Sequence, residues 1–122
     1  MKNTKKKSLS LLLTAALVLS LLPSVTLTAW AAVWDGTTTT TTWYNTTDAS
    51  FTIDTAAELA GFASLVNGGN TFSGKTVTLG ADITLNDVSN VGNWATTAPS
   101  NTWTAIGTSD TVYFAGTFDG GG

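Results

Sequence analysis

The stretch from Phe51 to Leu85, FTIDTAAELAGFASLVNGGNTFSGKTVTLGADITL, limits what this chain can fold into, because its apolar period changes twice. Phe51-Thr52-Ile53 alternates, with Phe51 and Ile53 on one face, and predicts a short strand. Thr55-Ala56-Ala57-Glu58 is a capping box: the Thr55 hydroxyl can accept the Glu58 N–H while the Glu58 carboxylate reaches back to the Thr55 N–H. A helix should follow to about Val66, with Leu59, Phe62, Ala63 and Val66 in one apolar stripe. Asn67-Gly68-Gly69 should end it, since Asn and Gly tolerate the left-handed conformation.

Beyond the helix the period returns to two. Phe72-Ser73-Gly74-Lys75 reads as a turn into Thr76-Val77-Thr78-Leu79, with Val77 and Leu79 inward. Gly80-Ala81-Asp82 makes a corner, and Ile83-Thr84-Leu85 repeats the alternation as a further strand. Residues 86–101 are loop. Trp103 to Gly107 is the next predicted strand, Thr108 to Asp110 a turn, and Val112 to Phe118 extended chain. Asp119-Gly120-Gly121-Gly122 is a turn signal and a poor place for a domain to end, because a last strand with no partner would expose unpaired backbone groups.

Upstream, Lys2, Lys5, Lys6 and Lys7 precede an apolar run from Leu9 to Leu22, and Ala29-Trp30-Ala31 supplies small residues for cleavage before Ala32. A membrane span needs about 20 apolar residues. The fourteen here predict a secretory signal peptide over residues 1–31, and no membrane insertion after its removal. The six threonines Thr37 to Thr42 cannot bury much apolar area, so residues 32–50 are expected as a solvated, extended spacer.

The chain has no Cys and no His, and also no Arg. That removes disulfides, thiolate and imidazole metal sites, His-based acid–base catalysis and bidentate Arg clamps. With cleavage before Ala32 only Lys75 opposes eight acids, a net charge of 1 − 8 = −7, which argues against nucleic acid as a partner. Asp54 and Glu58 resemble a carboxylate pair, but capping and turn roles account for both. No cofactor is expected. Calcium is the one ion whose donors the chain offers, at Asp82, Asn86 and Asp87, but these lack an EF-hand loop or calcium-binding nonapeptide repeats, so they read as corner and turn residues. Trp103, beside Ile106 in an apolar strand, reads as core. Trp94 lies in a polar loop and is the better candidate for a platform that stacks on sugar rings, in competition with packing of the loop onto the body.

Trp43-Tyr44, Phe51 to Gly61, Leu65 to Gly68, Phe72 to Leu79 and Ala81 to Leu85 together resemble the N-terminal module of large bacterial surface proteins. Trp103 to Gly107 with Phe114 to Gly120 is similar to the segment where the right-handed parallel β-helix of those proteins begins. Ala105 stands where the family usually has Pro, and no GLUG repeat, cell-wall sorting signal or S-layer-homology module is present. The resemblance implies a mostly β fold with one short capping helix: the cap and first coils of a β-helix, incomplete, over residues 51–122. Leu59, Phe62 and Val66 would seal the open end of the first coil. Thr55, Glu58, Asn67, Gly68, Asp82, Trp103, Gly107, Phe118, Asp119 and Gly120 would be structural. It further implies a non-catalytic, secreted or cell-surface protein of adhesin type, with glycans or host and community surface proteins as partners. The alternative is the non-catalytic start of an extracellular polysaccharide lyase, glycoside hydrolase or peptidase whose active site lies beyond residue 122.

Overall fold

A computed structural model describes residues 31–122. The predicted signal peptide falls almost wholly on residues 1–30, outside the described residues. Three strands form one sheet: β1 (Ser50–Ile53), β2 (Thr76–Leu79) and β3 (Thr117–Asp119), in spatial order 1-2-3 and parallel throughout. One helix, α1 (Ala56–Asn67), joins β1 to β2. A single 3-10 turn, Val91–Asn93, lies in the long connection from β2 to β3. The fold is mixed and mostly non-helical. Among the described residues no helix is long and apolar enough to cross a membrane.

The inner face is a ladder. Phe51 pairs with Val77 and Val77 with Phe118, while Ile53 pairs with Leu79. Phe51, Ile53 and Val77 are buried and join Phe62, Val66 and Phe72 in the core. Burying a side chain of this kind contributes about 1.5–3 kcal/mol. Phe118 remains 44% exposed although the Phe62 ring stacks on it at 5.9 Å, because among the described residues no strand lies beyond β3. The Thr117 N–H donates to the Lys75 carbonyl (2.9 Å). Alternate residues of a parallel strand direct both backbone groups to the same neighbour, so the N–H and C=O of Phe118 face away from β2.

Both ends of α1 follow from local chemistry. Glu58 N–H donates to Thr55 Oγ1 (3.2 Å), and Glu58 Oε2 accepts the N–H groups of Thr55 (3.0 Å) and Asp54 (2.9 Å). At the other end Gly69, at φ +100°, takes the left-handed position, whereas Gly68 has φ −81°. Asn70 N–H closes onto Leu65 O (3.0 Å) and Gly69 N–H onto Val66 O (2.9 Å), the paired bonds of a Schellman motif. Phe62 and Val66 are fully buried and Leu59 partly so, packed against the same core.

The helix is also buried where the stripe did not call for it, at Ala56, Ala60 and Gly61. The threonine run causes this. Thr40 N–H donates to Ala57 O (2.8 Å), and the Thr40 carbonyl lies directly against the Gly61 Cα, where only glycine fits. Residues 32–50 are mostly exposed, as expected of a solvated spacer, but the segment is not free of the body: backbone bonding holds Thr40 to α1, and Trp43 and Tyr44 pack on the core.

Two predicted strands are not strands. Ile83-Thr84-Leu85 offers Thr84 O to Trp34 N–H (3.0 Å), but it joins no strand ladder. In Trp103 to Gly107 the ladder is replaced by a side chain: Asn67 Nδ2 donates to Ala105 O (3.0 Å) and Asn67 Oδ1 accepts Gly107 N–H (2.9 Å). Gly107 itself is left-handed at φ +84° and opens the turn that Thr108 N–H closes on Val112 O (2.9 Å). Of the extended stretch from Val112, only Thr117 and Phe118 enter β3, which Asp119 completes.

Candidate functional site

Two of the concave regions among the described residues hold expected site residues. The first, about 370 Å³, is formed by α1 (Ala60, Ala63, Ser64, Asn67), the residue 34–39 segment and Thr102 to Thr104. Trp34 and Trp103 meet in it edge to face, 5.7 Å apart at 68°. The expectation that Trp103 is a core residue is corrected: it is half-buried, outside the core cluster, and its ring meets Trp34 instead. Ile106 does pack against the core.

The second region, about 460 Å³, lies inside the 86–101 loop, among Asn86, Asp87, Asn90, Asn93, Trp94, Thr97 and Ser100. Its neck is closed by a reciprocal pair. Asn86 Nδ2 donates to Asn101 O (3.0 Å) and Asn101 N–H donates to Asn86 Oδ1 (2.9 Å). The Asn101 amide then bridges back to the body, donating to Leu85 O (2.8 Å) and Trp34 O. Trp94 stands at the end of the 3-10 turn, with its N–H on Val91 O, and is 36% exposed. It belongs to neither the core cluster nor any aromatic contact among the described residues.

The charged groups are committed locally. Hydrogen bonds from Thr38 side chain and backbone, then Thr37, hold the Asp35 carboxyl at about 2. The Ser89 N–H lowers Asp87 below the ordinary value. Lys75 Nζ donates to Thr46 O (3.1 Å) and Asp48 O and lies 5.4 Å from the Phe51 ring centre, so its ammonium is structural. The calcium candidates each have a local setting. Asn86 Oδ1 is engaged by Asn101, Asp87 caps the Ser89 turn, and Asp82 is exposed at the corner after β2. Glu58 accepts two N–H groups at the start of α1, which is capping geometry.

The remaining expected residues sit at structural junctions. Asp119 Oδ1 accepts Gly121 N–H (3.0 Å) at the end of β3, and Gly121, not Gly120, is left-handed (φ +73°). The asparagine clamps at Asn67, Asn86 and Asn101 were not assigned from sequence. The signal for them is an Asn at each boundary of a stretch with no ladder to satisfy its backbone. No protein-family model, no curated protein and no solved structure matches this chain.

Proposed function

We propose that this chain is the non-catalytic N-terminal cap region of a secreted or cell-surface, adhesin-like protein built on a right-handed parallel β-helix. One observation carries the reading: three parallel strands stack in chain order, with Phe51, Val77 and Phe118 in one inward ladder. A coil that advances one strand per turn has this order, and each of its turns buries apolar residues only against its neighbours. The buried Phe62 and Val66 of α1 serve as the lid on the first turns. The exposed Phe118 and its outward backbone groups are where a next turn would pair. The partners in this reading are glycans or host and community surface proteins, not nucleic acid, and the mature chain is not inserted in a membrane. No cofactor takes part.

The gene's full product tests the reading. The exported form should begin at Ala32 and appear in the medium or at the cell surface. Its crystal structure should show a fourth strand parallel to β3, bonded to Phe118. Retention in the cytosol with residues 1–31 intact, or an antiparallel strand at that edge, would overturn it. A convergent set of acidic and basic side chains on consecutive later turns would move the whole protein to the extracellular-enzyme class.

A further inference from the structure

We infer that the 86–101 loop is a binding site for a neutral oligosaccharide, with Trp94 as its stacking platform. An exposed tryptophan in a slack loop would carry little weight, but this loop is not slack. The Asn86–Asn101 pair closes its neck, and Asn101 ties that neck to Leu85 and Trp34. Within it, the 3-10 turn and the bonds from Thr96 and Thr97 N–H to Asn93 O (2.9 and 2.8 Å) fix the chain on both sides of Trp94. A prearranged site avoids the ordering cost that usually weakens loop binding.

The lining selects the ligand class. Trp94 offers an apolar aromatic surface, and around it stand the amides of Asn90 and Asn93 and the hydroxyls of Thr97 and Ser100. Among the described residues none of these four side chains is taken up by a partner in the fold. An apolar ligand would leave those groups unsatisfied. An anion would meet Asp87, held ionised by Ser89, with Lys75 bound elsewhere. A neutral pyranose satisfies both halves: its C–H face lies on the indole, and its hydroxyls exchange hydrogen bonds with amides and carboxylate. The site stands on the geometry of the loop alone, so its failure would leave the parallel-coil reading intact, and the reverse also holds.

The test uses ¹⁵N-labelled chain and the indole N–H resonances, assigned by single Trp→Phe variants. The probes are cellotetraose, mannotetraose and β-1,4-galactotetraose, with tetragalacturonate as the charged control. At least one neutral probe should shift the Trp94 indole signal with a Kd of roughly 0.1–1 mM. Read from the backbone amide shifts of residues 86–101, Trp94→Ala should weaken that probe at least about tenfold, and Asn93→Ala several-fold. Trp94→Phe should retain part of the affinity and guards against a loop that fails to form without an aromatic ring. No shift with any neutral probe, shifts confined to Trp34 and Trp103, unchanged binding by Trp94→Ala, or equal binding of tetragalacturonate would each overturn the assignment.

Discussion

Single residues decide how closely the pieces approach. Gly61 is the sharpest case. An added methyl would strike the Thr40 carbonyl, which cannot retreat because Thr40 is bonded to Ala57 O and accepts the Trp43 indole N–H (2.8 Å). Helix propensity alone would make Gly61→Ala stabilising by about 1 kcal/mol. Overpacking costs typically about 1–3 kcal/mol and should win. Gly61→Ala is expected to lower stability by roughly 1–2 kcal/mol in urea unfolding, and a stabilised variant would show that the 37–42 segment is not held on α1. Phe72 makes a related point. Its backbone is left-handed at φ +53°, which costs about 1–2 kcal/mol for a side chain of this size. Its buried ring, among Trp43, Tyr44, Phe51, Phe62 and Phe114, returns a comparable amount. Neither feature was legible in the sequence. Gly61 looked like any helical glycine and Phe72 like a turn residue, because each depends on a neighbour distant in the chain.

At the scale of elements, what was legible was local. The capping box spans four residues, and the alternation in β1 and β2 rests on adjacent side chains, so both could be read directly. The failures at residues 83–85 and 103–107 share a cause. Alternating apolar residues show that a stretch is extended, but not that a strand lies beside it to complete a ladder. In the second case Asn67 takes the ladder's place, satisfying the Ala105 carbonyl and the Gly107 amide from the last residue of α1. Asn67→Ala should therefore cost roughly 1–2 kcal/mol despite its better helix propensity. Hydrogen exchange reads this out: Gly107 should lose protection while the amides of β1 and β2 keep theirs.

For the molecule as a whole, the first strand crossover carries a helix, and the second, residues 80–116, carries a 3-10 turn and is held by turn and asparagine bonds. After Lys7 the sequence has eight acids and Lys75 as its only cation. Asp35, lowered from 3.8 to about 2, stabilises the folded state above pH 3.8, and that contribution is lost as pH falls toward 2. Asp87 acts in the same direction. The comparison that isolates Asp35 is with Asp35→Asn. The melting temperature of the parent should fall more steeply than that of the variant between pH 3.8 and 2, and parallel curves would contradict the Thr37 and Thr38 bonds.

The clasp between Asn86 and Asn101 has one more outcome. Because the two ends of the excursion are fastened to each other and to Leu85, the sheet receives the same entry and exit whatever the intervening amino acids are. Residues 87–100 are an excursion pinned at its base, and a shorter or longer one should leave the pairing of β2 with β3 unchanged.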